Sequence, residues 1–382
     1  MPRSLPGARR RRLPLLTLAP FLLVAALIGS SCVNHPGLEV RVLARGLTLP
    51  WDLAITPNGD LLFTERGGRI SNRHANGQIV QVQADLADLF VGSETGLMGI
   101  VVDPNFNANR RVYTCQGFTS LAGNDVRVVV WTLSANGEAL TKVGPLVTGM
   151  PLNEGRHGGC RLRFDRAGNL WIGTGDGARG MNPQNLDNLG GKVLRVNKTT
   201  GDGVTGNPFI GNPSINRRRL VSWGHRNVQG LALHPDGSMW TVEHGSDRDD
   251  EINEGVVGNF GWDPGGTGYD ESGVPMTDLV KFPDAVVANW SSGFPTIATS
   301  GATWLTGDLW KGWNGGLAVA NLKDTSLKIF FPDRDGNLQP IATVLNDTYG
   351  RLRTAQLGPN GHLFVTTSNG GGNDQILEVF PS

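Results

Sequence analysis

Short apolar segments alternate with glycine-containing polar turns along almost the whole chain. One pattern occurs four times in the same phase, a polar turn with a central glycine followed at once by an apolar, β-rich segment: residues 57–63, 166–172, 235–241 and 359–365. Glycine supplies the positive φ that a tight turn needs, so each copy predicts a β-hairpin. Two looser copies, at 99–114 and 303–320, fill the gaps and bring the number of units to six.

The six units predict an all-β fold. Five steps separate Gly59 from Gly361, so one unit is about 60 residues long, which suits a four-stranded antiparallel blade with long connecting loops. We therefore expect a single six-bladed β-propeller over residues 38–382. Seven blades, or a pair of β-sandwiches, are the alternatives. A propeller collects loops at the end of its central channel, so residues far apart in sequence can meet there.

The first 31 residues differ from the rest of the chain. Residues 1–12 contain five arginines and no acidic residue, and residues 13–28 are almost wholly apolar. This pattern predicts an export signal at 1–31, because the apolar stretch is too short and too interrupted by proline for a membrane span. We therefore expect a periplasmic or extracellular protein.

The end of this signal, residues 28–32, resembles a bacterial lipoprotein cleavage site. Cleavage there would make Cys32 the lipidated first residue of the mature protein and residues 32–37 a short tether. Ordinary signal cleavage with an unmodified Cys32 is the alternative. A membrane is thus expected as a partner only through a lipid anchor.

The overall charge narrows the function classes. The 34 Lys and Arg residues balance the 34 Asp and Glu residues, and no basic stripe occurs after residue 12, so we expect no nucleic-acid partner.

After export, Cys115 and Cys160 lie in an oxidising compartment. We expect a disulfide between them, with two buried free thiols as the alternative.

Polar and charged residues beside glycine are concentrated in five segments next to predicted strands: 92–99, 153–162, 222–230, 243–253 and 349–353. The second segment contains His157. A histidine side chain titrates near neutral pH, so it is well suited to take a proton from a hydroxyl group. His157 is therefore the strongest candidate for a general base.

The chain resembles the soluble PQQ-dependent glucose/sorbosone dehydrogenases, also called aldose sugar dehydrogenases, which are six-bladed propellers. The resemblance covers nearly the whole mature chain and rests on six groups of motifs in order: residues 96–99 with 103–106, 157–162 with 173–176, 189–195, 223–231, 243–245 with 250–253 and 261–262, and 349–353. It implies oxidation of an aldose at the anomeric carbon to the lactone, with hydride passing to PQQ and an external electron acceptor reoxidising the cofactor.

The same resemblance implies roles for individual residues. His157 would be the base, Asp176 would orient its imidazole and stabilise the protonated form, and Arg226 would stabilise the developing alkoxide. PQQ carries three carboxylates, so its site needs several cations. The implied cofactor residues are Glu94, His157, Arg226, Asn227, Lys323, Arg351 and Arg353. Glu94 stands where active relatives have glutamine, and its carboxylate would repel PQQ unless it is protonated or paired with an arginine.

A calcium ion is the second cofactor that the resemblance implies. The backbone carbonyls of Gly245 and Ser246 correspond to its protein ligands, and the ion would act on PQQ as a Lewis acid. Glu251 corresponds to a second, structural calcium site, with an exposed acidic turn as the alternative. The acidic run 247–251 lacks the glycine of an EF-hand loop, which excludes that motif.

Two other functions are the alternatives to a dehydrogenase. One is a non-catalytic propeller that binds protein or glycan, which would not need the full set of His157, Asp176, Arg226, Arg351 and Arg353. The other is a calcium-dependent lactonase, whose metal-binding carboxylates are spread over several blades. Here the acidic residues cluster in one loop, which counts against a lactonase.

Overall fold

The computed structural model describes residues 35–266 and 268–382, and these residues fold into six β-sheets arranged as the blades of a propeller. The prediction of six blades is confirmed, and the seven-bladed and sandwich alternatives are wrong. The export signal, the lipidation of Cys32 and most of the tether concern residues outside the described part. None of the described helices is long and apolar enough to cross a membrane.

The strands are, in chain order, β1 (Leu38–Leu47), β2 (Pro50–Ile55), β3 (Leu61–Glu65), β4 (Arg69–Arg73), β5 (Ile79–Gln81), β6 (Gln83–Ala84), β7 (Leu97–Val102), β8 (Arg111–Ser120), β9 (Gly123–Leu133), β10 (Ala139–Met150), β11 (Gly159–Phe164), β12 (Leu170–Thr174), β13 (Lys192–Val196), β14 (Leu220–Trp223), β15 (Val228–Leu233), β16 (Met239–Glu243), β17 (Glu251–Glu254), β18 (Gly258–Asn259), β19 (Trp290–Ser291), β20 (Thr299–Trp304), β21 (Leu317–Asn321), β22 (Leu327–Pro332), β23 (Leu338–Val344), β24 (Leu352–Leu357), β25 (Leu363–Thr367) and β26 (Asp374–Pro381). The helices are short: α1 (Phe106–Asn109), α2 (Ile215–Arg219) and a 3₁₀ helix (Asp308–Trp313).

The first strand of each blade lies next to the central channel. These inner strands contact one another in a closed ring in the order β2, β7, β11, β15, β20 and β24, and β24 returns to β2. The last blade is completed by the N-terminal strand β1, which pairs antiparallel with β26. The two ends of the described chain therefore share one sheet, which closes the ring and protects the sheet edges.

The sequence predicts four strands in every blade, but two of the six blades have five. These two carry a short fifth strand at the outer edge, β6 beside β10 and β18 beside β14, and both of these pair in parallel. β6 lies in the connection between the first two blades, whereas β18 lies in the long connection between β17 and β19 of one blade, and the repeat pattern covers neither connection. This part of the prediction is therefore incomplete.

The four regular repeats form the hairpin between the first and second strand of their blades. Gly59 has a φ of 86° and donates its N–H to the carbonyl of Thr56 at 2.9 Å. The corresponding glycines of the other three repeats have φ values of 79°, 103° and 77° and make the same bond to the residue three positions earlier. A left-handed backbone at this position explains why every copy has glycine there.

Apolar side chains fill the space between neighbouring blades, and one disulfide joins two blades covalently. Cys115 on β8 and Cys160 on β11 are both fully buried and are bonded to each other. The predicted disulfide is confirmed, and the alternative of two free thiols is wrong. The bond fixes the start of β11, which begins two residues after His157.

Candidate active site

The predicted site residues gather at one end of the propeller because of the hairpin topology. The start of a first strand and the end of the antiparallel second strand lie side by side, at the same end of a blade. Glu94, His157, Arg226 and Arg351 come just before first strands, and Asp176 follows a second strand. The same holds for Asn227, Gly245, Ser246 and Lys323, and Arg353 is the second residue of the first strand β24.

His157 and Asp176 form a buried pair. The imidazole Nδ1 lies 2.8 Å from Asp176 Oδ1, and the two residues are 2% and 0% exposed. Since an ionised carboxylate only accepts hydrogen bonds, Nδ1 carries the proton in this pair and Nε2 is left as the basic nitrogen. The backbone before Asp176 approaches that of His157 closely. This approach requires glycine at position 175, because a Cβ there would overlap the carbonyl oxygen of His157.

Asp176 is held from several sides. Its Oδ1 also accepts the backbone N–H of Ala178 at 2.7 Å, and its Oδ2 accepts the indole N–H of Trp262 at 2.9 Å and the hydroxyl of Tyr269 at 3.1 Å. Four donors to one buried carboxylate stabilise its charged form and fix its orientation. The carboxylate is therefore organised to hold His157 and to stabilise an imidazolium.

Arg226 is joined to this pair through residues that sequence reasoning missed. Its Nε donates to Glu271 Oε2 at 2.8 Å, and the same oxygen lies 3.0 Å from the hydroxyl of Tyr269. Burial opposes the positive charge, but the hydrogen bond that Arg226 donates to Glu271 raises the pKa of Arg226 above its usual value. Tyr269 and Glu271 belong to a long connection after β18 that has no repeat and no recognisable motif, so the sequence carried no signal for them.

Glu94 lies beside the base rather than apart from it. Its Oε2 accepts the backbone N–H of His157 at 3.0 Å, which helps to hold that residue in a left-handed conformation with a φ of 50°. Burial lowers the pKa of Arg66, and the negative charge of Glu94 opposes this lowering. Arg66 is thus a cationic neighbour of Glu94, although no salt bridge among the described residues joins the two side chains.

Positive charges converge on the space next to His244. Burial lowers the pKa of His244 well below its usual value, and four neighbouring cationic or protonatable groups lower it further: Arg353, Arg226, His157 and Arg351. Burial and the charges of Arg161 and Arg351 also lower the pKa of Arg353 to about 9. Arg353 donates to Gln229 Oε1 at 2.6 Å, which is an uncharged partner, and the negative charge of Glu94 compensates only part of its charge.

Two buried polar atoms in this region have no partner in the described structure. They are Nδ2 of Asn227 and Nε2 of His244. Asn227 Oδ1 accepts the backbone N–H of Gly159 at 3.1 Å, which fixes the direction of its free amide. Unpaired buried polar groups are costly, and beside an excess of positive charge they suit an anionic ligand with several oxygen atoms.

Lys323 lies at the same end of the propeller but is exposed. Its Nζ is 3.4 Å from the hydroxyl of Thr296, and no described hydrogen bond or ion pair joins it to His157 or to the arginines. The structure therefore places Lys323 near the loops of the site without bringing it into the central group.

The loop that holds Gly245 and Ser246 is anchored by a buried carboxylate. Asp250 accepts the backbone N–H of Gly245 at 2.9 Å and those of Ile297 and Ala298 at 2.6 Å each. Among the hydrogen bonds of the described residues, none ends on the carbonyl oxygen of Gly245 or Ser246. Both carbonyls are therefore available to a cation.

Glu251 is buried and not part of an exposed acidic turn. It accepts hydrogen bonds from Thr277 and Asn253, and burial together with the nearby Glu243 raises its pKa well above the usual range. Within residues 35–266 and 268–382, no group of three or more His, Cys, Asp or Glu side chains is arranged to hold a metal ion. A cation here would need backbone or amide oxygens as further ligands.

The fold and the site define a propeller enzyme with a buried histidine–carboxylate pair beside a cationic space, and comparison with known proteins gives its family. The family model of glucose/sorbosone dehydrogenases matches residues 47–378. The chain therefore belongs to the glucose/sorbosone dehydrogenase family and is an oxidoreductase.

Individual relatives agree with this assignment. Aldose sugar dehydrogenase YliI of Escherichia coli is 31% identical over 90% of this chain and 93% of its own length. The crystal structure of the soluble E. coli aldose sugar dehydrogenase in its apo-form covers 91% of this chain and all of that one, with a TM-score of 0.79 and 29% identity. The PQQ-bound aldose sugar dehydrogenase of Streptomyces coelicolor covers 91% of this chain and all of its own, with a TM-score of 0.70 and 29% identity.

Proposed function

We propose that the protein oxidises aldose sugars at the anomeric carbon to lactones, with PQQ and calcium as cofactors. The observation that carries this proposal is the buried His157–Asp176 pair next to arginines whose charges repel one another. A PQQ-bound relative supports the cofactor, as does the 27% identity to quinoprotein glucose dehydrogenase B of Acinetobacter calcoaceticus over 62% of this chain.

The residues present fit PQQ. Its three carboxylates would compensate the charges of Arg351 and Arg353, and the unpaired Nδ2 of Asn227 and Nε2 of His244 would find oxygen acceptors. Arg226 retains N–H groups beyond those that contact Glu271 and the carbonyl of His244. When bound, PQQ would supply the acceptor for the hydride that leaves the anomeric carbon.

His157 and Asp176 would handle the proton. Nε2 of His157 takes the proton of the anomeric hydroxyl while the hydrogen on the same carbon leaves with its electron pair, so that the C–O bond becomes the C=O bond of the lactone. Asp176 stabilises the resulting imidazolium through its bond to Nδ1. The guanidinium of Arg226 stabilises negative charge that develops on oxygen during this step.

Calcium would be held by the carbonyls of Gly245 and Ser246, on the loop that Asp250 anchors. Carbonyl oxygens are ordinary ligands of this ion, and the ion would act there as a Lewis acid. Glu251 would bind a second, structural calcium. Membership of a dehydrogenase family favours this function over a binding-only propeller and over a lactonase.

The test is reconstitution of the purified protein with PQQ and Ca²⁺, followed by dye reduction with a panel of aldoses. A dye takes the place of the external electron acceptor. We expect turnover that depends on PQQ and is lost when EDTA removes calcium. Absence of PQQ binding and of turnover would refute the proposal.

A histidine variant tests the base. His157→Gln should lower kcat by roughly 100-fold or more, since general base catalysis contributes about 10²–10⁴-fold. His234→Gln is the matched control, because His234 lies in the β15–β16 turn at the other end of its blade and pairs with Asp236. If His157→Gln keeps the full rate, the assignment of the base is wrong.

A further inference from the structure

Three side chains that the proposed chemistry does not use lie against the His157–Asp176 pair. They are Arg156, Tyr269 and Glu271. The ring of Tyr269 meets the imidazole of His157 edge-on, with 5.5 Å between centroids, and the guanidinium carbon of Arg156 lies 5.3 Å from the centroid of the Tyr269 ring. Glu271 Oε1 is 3.6 Å from Arg156, and Oε2 binds Tyr269 and Arg226.

Exposure places these groups at the opening of the site. The side chain of His157 is 3% exposed, whereas those of Glu271 and Arg156 are 26% and 44% exposed. A ligand that approaches the base from solvent therefore passes an aromatic ring, a carboxylate and a guanidinium. These are the groups that bind sugars, because carboxylates and guanidinium groups pair with hydroxyls and aromatic rings pack on C–H faces.

The charge of Glu271 indicates which ligand it faces. Burial alone would raise the pKa of Glu271, but the hydrogen bond and charge of Arg226 lower it, so the carboxylate is ionised at neutral pH. An ionised carboxylate repels the carboxylates of PQQ and does not repel a neutral sugar. Among the residues that the structure describes, its second oxygen, Oε1, makes only the 3.6 Å contact with Arg156 and is available to a hydroxyl.

We infer that Arg156, Tyr269 and Glu271 form the sugar-binding wall of the site, and that Glu271 selects neutral aldoses over sugar acids. The inference rests on the proposed function. Glu271 accepts hydrogen bonds from sugar hydroxyls, Arg156 donates to sugar oxygens, and the ring of Tyr269 packs against the sugar beside the base. The hydroxyl of Tyr269 lies 3.0 Å from Glu271 Oε2 and 3.1 Å from Asp176 Oδ2 and shares its one proton between them, so the bound sugar is fixed relative to the group that holds His157.

The experiment compares Glu271→Gln and Tyr269→Phe with wild type, using glucose and glucuronic acid as probes. Glu271→Gln should raise the KM for glucose by about 10- to 100-fold, the worth of a hydrogen bond to a charged group. It should also reduce the preference for glucose over glucuronic acid at least tenfold, while PQQ affinity, measured by fluorescence titration, stays within threefold. Tyr269→Phe should raise the KM more than it lowers kcat.

Two matched controls keep the test specific. Glu39→Gln removes an exposed carboxylate on the outer strand β1, and Tyr113→Phe removes a hydroxyl that contacts Asp103 on a different face. Both should keep the wild-type KM and selectivity. Saturation-transfer NMR measures glucose binding separately from turnover.

The outcomes separate the wall from the proposed function. If wild type binds glucose through a contact that Glu271→Gln weakens but never oxidises it, the proposed function fails and the wall stands. If wild type oxidises glucose and Glu271→Gln keeps the wild-type KM and selectivity, the wall is overturned. A variant that loses PQQ affinity more than tenfold with an unchanged KM would also overturn it, because Glu271 would then serve the cofactor.

Discussion

Replacement of Asp176 by asparagine tests the central pair most directly. The side chain keeps its shape but loses its charge, and one of its two oxygens becomes an NH₂ donor. Each oxygen of Asp176 now accepts two hydrogen bonds, from His157 and Ala178 on one side and from Trp262 and Tyr269 on the other. Whichever way the amide turns, its NH₂ group therefore faces at least one group that can only donate, either the backbone N–H of Ala178 or the indole N–H of Trp262.

The magnitude follows from these two orientations. If the NH₂ group faces Trp262, a buried indole N–H loses its acceptor, which costs about 1–3 kcal/mol of stability. If it faces His157, the imidazole must accept at Nδ1 and carry its proton on Nε2, so the base is blocked. In both cases the charge that stabilises the imidazolium is gone, and kcat should fall about 1,000- to 10,000-fold, as is typical when asparagine replaces the aspartate behind a catalytic histidine.

Single-turnover dye reduction with the PQQ-loaded protein measures the effect on the chemical step. PQQ affinity and thermal unfolding are measured in parallel. Asp103→Asn is the control, because Asp103 is also buried and binds Lys198 at 2.6 Å and the hydroxyl of Tyr113 at 3.0 Å, away from the site. The Asp103→Asn protein should lose about as much stability as the Asp176→Asn protein and keep the wild-type kcat. An Asp176→Asn protein with kcat within tenfold of wild type would refute the reasoning.

Three further changes have defined outcomes. Arg353→Gln removes a buried guanidinium whose pKa is lowered to about 9 by burial and by neighbouring arginines. The Tm without cofactor should therefore stay the same or rise, while the Kd for PQQ should rise about 10- to 100-fold. A change in Kd below threefold would contradict this prediction. Cys115→Ser opens a disulfide that spans 45 residues of chain and should lower the free energy of unfolding, measured with denaturant, by about 4 kcal/mol. Reductant should destabilise the wild type but not the variant. Equal stability of the two proteins in oxidising buffer would contradict this prediction. Burial lowers the pKa of Lys192 to about 7, so between about pH 7 and 10.5 the unfolded chain binds more protons than the folded chain. The free energy of unfolding should therefore rise with pH over this range, and Lys192→Met should flatten the slope. Parallel curves for the two proteins would rule out the effect.

The central group of the site shows which functional residues the sequence motifs could predict and which they could not. His157, Asp176, Arg226 and Arg353 were expected from their motifs, and the structure brings them together at one end of the propeller. Lys323 had only a thin pattern around it, and it lies outside the central group. Tyr269 and Glu271 had no pattern at all, although the hydroxyl of Tyr269 lies 3.1 Å from Asp176 Oδ2.

The sequence by itself determined the hairpins and their number. Strand alternation and the turn glycine act over a few residues, so six copies of one pattern define six blades and place the candidate loops at one end of each. It also led us to expect a disulfide between Cys115 and Cys160, but only the structure excluded two free thiols and showed that the bond joins neighbouring blades.

Only the tertiary structure decided which loop residues meet. Tyr269 is 112 positions from His157 and 93 from Asp176, and neither separation has a local signature. Such contacts exist because the ring of inner strands closes and the long connection after β18 folds back over the channel end. Burial then removes water from around the arginines and carboxylates, and this loss of solvent, which no stretch of sequence encodes alone, sets their charges and the chemistry of the site.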